Sequence, residues 1–277
     1  MTPTTKKSLL VLFCCFAVLA LAPIPRAFAQ VENINQVRIF SEFVDDPTSV
    51  FSFTNDYPSL VSLSDTSVDN GGAAGGFANR RNWRFSGNGG VSDFLFTNDT
   101  FFDVSFDLTL SGNATPRKEA GFLLDTIGGQ GQFIVNTDAH EVVAFGGPLP
   151  FFKFNDLGLS FNEGDTIRLG MTYFLDEDGK RKIIYRANDL SSGALEFTNL
   201  EQGIIDNSTL GGYLQTVIDR NNPDNGATAD FRNIGIRSPA AAVIPEPSSL
   251  LLCAGGLAAL VLRRRRRNVP DDAHAGP

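Results

Sequence analysis

Asp103-Val104-Ser105-Phe106-Asp107-Leu108-Thr109-Leu110 alternates apolar and polar residues without a break. Successive side chains of an extended chain point to opposite faces, so Val104, Phe106, Leu108 and Leu110 share one face and the polar residues the other, as in a half-buried strand. The same alternation gathers Ile167, Leu169, Met171 and Tyr173 in the stretch 166–174, and shorter versions run over 132–135, 141–145 and 182–185. None of these windows carries a helical stripe. Turn chemistry separates them: Asp178-Gly179 supplies the positive backbone angles of a tight hairpin, and 128–131, 146–148 and 162–165 punctuate the chain in the same way. Many short strands with turns between them predict an all-β fold, an antiparallel two-sheet sandwich, with a closed barrel as the second reading.

Both ends of the chain read as targeting segments. Lys6 and Lys7 precede an apolar run over 8–21, and Ala27 and Ala29 put small residues where a signal peptidase reads, so 1–29 is expected to be a signal peptide cut after Ala29. A retained N-terminal anchor is the alternative. At the other end Pro245-Glu246-Pro247 is followed by an apolar stretch over 248–262 and five consecutive arginines, Arg263, Arg264, Arg265, Arg266 and Arg267. The apolar stretch can enter a bilayer as a transmembrane helix, while the arginines resist crossing and fix the topology.

What lies between has a different character. All three cysteines fall in the end segments (Cys14, Cys15 and Cys253), so no disulfide framework is available to 30–244. That stretch holds 15 Lys and Arg against 28 Asp and Glu, a net of −13, which repels nucleic acid and anionic lipid alike. It also keeps 21 of the 24 phenylalanines, ample bulk to fill the space between two sheets. The run Gly71-Gly72-Ala73-Ala74-Gly75-Gly76 has too little side chain to pack and reads as a mobile loop inside one domain. It also lacks the Gly-Lys-Ser/Thr ending of a phosphate cradle.

Candidate chemistry is sparse. A glycan hydrolase needs two carboxylates about 5 to 10 Å apart across a groove. Asp176, Asp178, Glu196 and Glu201 are the best placed acids, yet they form no tight cluster, and acids at turns are ordinarily solvated. The body holds one histidine, His140, no cysteine and no Gly-x-Ser-x-Gly elbow, which argues against a nucleophilic triad and a zinc site. The sequence predicts no catalytic residue and no cofactor, with calcium the one cofactor kept open. Asp219, Asp224 and Asp230 are its candidate ligands, in a stretch rich in Asn and Asp whose spacing is not that of an EF-hand. Trp83 with Arg84 is the candidate ligand contact, an indole that stacks on a sugar ring beside a hydrogen-bonding guanidinium; a cation–π pair at a strand edge is the plainer reading.

The three-part tail, Pro245-Glu246-Pro247-Ser248-Ser249, then 250–262, then Arg263 to Arg267, resembles the PEP-CTERM sorting signal of exported bacterial proteins. That resemblance implies recognition at Pro245, Glu246 and Pro247 by an exosortase-type sorting enzyme, with the arginines held on the cytoplasmic side. It also associates the protein with bacteria that make exopolysaccharide. The stretches 121–125 and 229–236 resemble, more weakly, strands of concanavalin-like jelly-roll domains, which implies a fold but no ligand residues.

The expected organisation is a signal peptide (1–29), a β-sandwich ectodomain (30–237), a linker (238–244), the sorting and transmembrane anchor (245–267) and a cytoplasmic tail (268–277). The expected function is that of a non-enzymatic, envelope- or matrix-associated protein, exported through the inner membrane and binding extracellular polysaccharide. Its partners are the membrane and the sorting enzyme, with no nucleic acid. A secreted glycan hydrolase, with paired carboxylates on a concave sheet, is the alternative.

Overall fold

The computed structural model describes residues 31–66, 76–197, 205–222 and 225–239. The signal peptide, most of the glycine-rich loop, Glu201, Asp224 and the sorting tail lie outside the described residues. Among the described residues no helix is long and apolar enough to cross a membrane, and the transmembrane helix expected at 245–267 falls outside them.

Two antiparallel sheets face each other. The first has seven strands in the order β1 (Gln36–Val44), β4 (Ala78–Ser86), β14 (Thr209–Val217), β6 (Lys118–Thr126), β7 (Gly129–Asn136), β8 (Val142–Phe145) and β9 (Phe152–Lys153). The second runs β12 (Leu190–Ser191), β11 (Arg181–Ala187), β10 (Thr166–Leu175), β5 (Phe102–Gly112), β15 (Gly226–Arg237), β3 (Leu60–Thr66) and β2 (Val50–Asp56), with β13 (Leu195–Glu196) also beside β11. Sequence neighbours often sit in different sheets, as β4 and β5 do, so the chain crosses between layers in a jelly-roll-like manner.

β5 follows its pattern residue by residue: Phe102, Val104, Phe106, Leu108 and Leu110 are buried while the residues between them are half-exposed. β10 does the same with Ile167, Leu169, Met171 and Tyr173. Between the sheets the core is largely aromatic. Trp83 meets Phe85, Phe106 and Phe231 edge to face, and Phe106 lies 4.1 Å from Phe122 between ring centroids. Toward one end the interior turns polar: Arg81 of β4 reaches across to Asp65 of β3 at 2.7 Å, with both side chains almost fully buried. The expected hairpin at Asp178-Gly179 is present. There the Asp176 carboxylate accepts hydrogen bonds from the backbone N–H groups of Asp178 and Lys180, and Gly179 adopts a φ of 75°.

Lys118 opens β6 fully buried, its Nζ donating to the Pro116 carbonyl at 2.8 Å. Burial lowers its pKa from 10.5 to about 8, against a smaller raising pull from Asp219. Below that value native and unfolded chains are both protonated and the burial penalty stands in full. Between about 8 and 10.5 the unfolded chain keeps a proton that the native one has shed, so this group makes stability rise with pH across that window. Lys118→Met is expected to flatten the rise, as read from denaturation midpoints measured across the same pH range.

Candidate functional site on the cupped face of the seven-stranded sheet

Trp83 and Phe85 of β4, Phe122 of β6, Phe133 of β7 and Leu214 of β14 point into the core. Strand alternation therefore sends Arg80, Asn82 and Arg84, Glu119 and Leu123, Gln132 and Ile134, and Tyr213 and Gln215 to the opposite face of the sheet. Registers align them in rows: Asn82 lies opposite Tyr213, Tyr213 opposite Gly121, and Gly121 opposite Ile134. Gly121 has a φ of 155°, and a Cβ there would lie 2.3 Å from the Phe133 carbonyl oxygen, so the floor beside Tyr213 is bare backbone by necessity.

This face is cupped. Arg80 sits in the row of Gln215, Glu119 and Asn136, whereas Gln130 lies six residues along β7 from Asn136. In a flat sheet their Cα atoms would be about 24 Å apart, from three strand spacings and six residue rises, which is far more than the two side chains span. Yet Arg80 Nη1 donates to Gln130 Oε1 at 2.7 Å, and Gln130 Nε2 donates to Glu42 Oε1 at 2.6 Å. The twist of the sheet curls these opposite corners toward each other, and their side chains meet in an arch.

Beneath the arch lies Tyr213, fully buried, with the Arg80 guanidinium 4.9 Å above its ring. Its hydroxyl is 3.0 Å from Glu119 Oε1 and 3.0 Å from Gln132 Oε1; with one proton it donates to one of them at a time. Burial, and then the charge of Glu119, push the phenol well above its usual pKa of 10. Glu119 is held in turn by Arg117 at 2.8 Å. Gln215 accepts from Arg80 Nε at 2.8 Å. Burial alone would raise the Glu42 carboxyl, but hydrogen bonds from Gln130 and Asn82 outweigh it and hold Glu42 below the ordinary range. Leu123, Ile134 and Val143, with Phe145 partly exposed beside them, form an apolar flank around Tyr213.

The structure separates most of the residues singled out from sequence. Trp83 is wholly inside the core, so the expected Trp83–Arg84 ligand contact is corrected: adjacent strand residues face opposite ways, and only Arg84 reaches the cupped face. Arg84 there pairs with Asp125 at 2.6 Å and Asp93 at 3.1 Å, and its guanidinium lies over Phe40 rather than the indole. Asp176 and Glu196 meet on the other sheet, around Lys182 at 3.6 and 2.7 Å, and Asp178 is in the exposed hairpin turn. His140 is a turn residue with a φ of 54°, its ring Nδ1 2.9 Å from the Phe161 carbonyl oxygen.

Of the calcium candidates, Asp219 takes part in a local turn with Asn221 and Asn222, Asp230 pairs with Arg232 on β15, and Asp224 is not described. Among the described residues no three acidic, histidine or cysteine side chains group as a metal site would. The charge of Asp219 acts on the buried Lys118 ammonium, pulling its pKa upward against the larger effect of burial.

Tyr213, Glu119, Gln132 and Asn82 were missed by the sequence reading. Arg80-Arg81-Asn82 is polar on both strand faces, because Arg81 closes the interior while its neighbours face the cup, so no alternation marks it.

The PEP-CTERM protein-sorting motif is present at residues 243–267. No curated protein matches the chain. Among solved structures, an alginate lyase, AlgAT5, of polysaccharide lyase family 7 is similar at 10% identity over 74% of this chain and 95% of that one, with a TM-score of 0.44. An endo-β-1,4-glucuronan lyase from the fungus Trichoderma reesei is similar at 8% identity over 79% and 96%, TM-score 0.44. An alginate lyase from Corynebacterium sp. follows at 12% over 70% and 82%, TM-score 0.41. The solved structures similar to this chain are of lyases, in contrast to the expected non-enzymatic protein. At such identities and TM-scores the likeness assigns no substrate and no residue role to this chain.

Proposed function

We propose that this protein is an exported enzyme that cleaves a polysaccharide on the cupped face of its seven-stranded sheet, with Tyr213 as proton donor. The observation that carries the reading is the Tyr213 hydroxyl, set 3.0 Å from both Glu119 and Gln132 on the floor of the cup. A phenol whose pKa is raised this far stays protonated through the neutral range, so it can give its proton to a departing glycosidic oxygen as the C–O bond breaks. Glu119 holds the hydroxyl in place and, being anchored by Arg117, keeps its own position while the proton moves. The amides of Gln132 and Gln215, with Arg80 and Asn82, are the hydrogen-bonding groups that recognise sugar hydroxyls. Tyr213 and Asn82 are buried, so substrate reaches them only when Gln130 releases Arg80 and Glu42. The test is chain shortening: the exported protein is incubated with a panel of polysaccharides, and size-exclusion chromatography should show products for one of them.

The sorting motif supports export, and in our reading the activity lies outside the cell. In this reading the chain crosses the inner membrane behind its signal peptide, stays held by the 245–267 segment with Arg263 to Arg267 on the cytoplasmic side, and is handed to an exosortase-type enzyme at Pro245-Glu246-Pro247. Glu246→Ala is expected to leave the tail attached in the native host. Intact-mass spectrometry then gives a mature protein heavier than wild type by the whole tail, and equal C-termini in the two proteins would reject recognition through Glu246.

A further inference from the structure

Among the described residues the cup has four guanidiniums, and each already has a carboxylate, as does the Lys153 ammonium beside Val143, paired with Glu141 at 2.7 Å. Arg38 pairs with Asp93 at 2.6 Å, Arg84 with Asp93 at 3.1 Å and Asp125 at 2.6 Å, Arg80 with Glu42 at 3.7 Å, and Arg117 with Glu119 at 2.8 Å and Asp138 at 3.3 Å. The face is therefore positively studded but neutralised in place. A glycan carrying a carboxylate on every residue would have to shed water from those charges here without a spare cation to receive them, which is unfavourable. The surrounding domain, at −13, would repel such a polymer from a distance as well.

A second observation states what the cup lacks. Asn82 is completely buried opposite Tyr213, and its Oδ1 has no hydrogen-bond partner among the described residues. The orientation of its amide is fixed by chemistry, because Nδ2 donates to Glu42 Oε2 at 2.7 Å and turning the amide over would set oxygen against carboxylate. An orphan acceptor in a buried place costs free energy until a donor arrives. A sugar hydroxyl is such a donor, so the orphan acceptor calls for a glycan hydroxyl at this point, while the choice of a neutral glycan rests on the guanidiniums that are already paired.

From these two observations we infer that the glycan taken by the cup is neutral, bound with one of its hydroxyls donating to Asn82 Oδ1. The inference rests on the cup being the glycan site and names the substrate class for it. Cleavage then proceeds by water: Tyr213 gives its proton to the departing oxygen as the C–O bond breaks, water's hydroxyl bonds to the anomeric carbon, and water's remaining proton restores Tyr213. The products are saturated sugars with a new reducing end.

The test is equilibrium binding by calorimetry, with the exported protein and two probe sets: neutral oligosaccharides of β-glucan, mannan, xylan and galactan, and oligouronates of alginate and polyglucuronate. A neutral probe is expected to bind with an affinity that changes less than about twofold between low and high salt, since no counterions are released. Asn82→Leu, shown to be folded by its thermal transition, should weaken that probe by about tenfold or more. A monodeoxy analogue of the same probe should lose a similar factor against wild type and nothing further against Asn82→Leu, an interaction that a merely structural role for Asn82 would not produce. Tighter binding of an oligouronate, with affinity falling steeply in salt, would overturn the inference, as would failure of every neutral probe to bind. Product analysis of the same mixtures keeps the two readings apart. A neutral probe bound but uncut would sink the enzymatic reading alone, and an oligouronate cut would sink the neutral class alone.

Discussion

Tyr213→Phe is expected to reduce product formation by about 10²- to 10⁴-fold, the range that a positioned acid contributes, with oligosaccharide affinity little changed. The substitution removes one oxygen and leaves the ring, so the Arg80 guanidinium keeps its place above it and the flank of Leu123, Ile134 and Val143 keeps its contacts. Glu119 loses a donor but remains paired with Arg117, so the variant should fold. The pH profile carries a second signature. Because burial and the neighbouring Glu119 charge raise the phenol well above 10, loss of the donor proton should not limit the wild-type rate on the alkaline side of neutrality. A wild-type rate that fell with an apparent pKa near neutrality would assign the donor's role to another group. Full activity in Tyr213→Phe would remove Tyr213 from the reaction.

Trp83→Ala is expected to have the largest effect on stability, about 3–5 kcal/mol, because it deletes a fully buried indole from a packed aromatic cluster. Phe85, Phe106 and Phe231 each contact that ring, and Gly212 lies so close that a Cβ there would stand 2.7 Å from Trp83 Nε1. For a domain of about 200 residues the loss corresponds to a drop in Tm of roughly 6–20 °C. Calorimetric unfolding measures it. If Trp83 were instead a ligand contact on the surface, the variant would unfold at the wild-type temperature and lose only glycan affinity.

Where one face of a strand is buried and the other meets water, alternation identifies it. β5 and β10 are of this kind, and their inward residues were legible one by one. The centre of the first sheet is different. β4, β6 and β14 are buried almost along their whole length on both faces, one against the core and the other inside the cup, so period-two contrast disappears there. The candidate site lies on those strands, which is why it was not found in sequence. Trp83 attracted attention by being the sole tryptophan amid arginines, yet alternation alone puts it and Arg84 on opposite faces. Arg81 adds to the confusion, since it is a charged residue on an interior face, made tolerable by Asp65 across the sandwich. The cupping that brings Gln130 to Arg80 depends on accumulated twist across four strands and has no local sequence signal. The sorting tail was legible for the opposite reason. Its three parts are contiguous, and each works through composition rather than tertiary contact.

A crystal structure of the Tyr213→Phe protein soaked with the oligosaccharide that wild type cleaves would test the central claim most directly. The account predicts sugar density on the cupped face of the seven-stranded sheet, with a glycosidic oxygen next to the ring edge of residue 213 and the Gln130 bridge to Arg80 and Glu42 opened. Sugar bound on the outer face of the eight-stranded sheet, or along a sheet edge with the arch still closed over Tyr213, would contradict it.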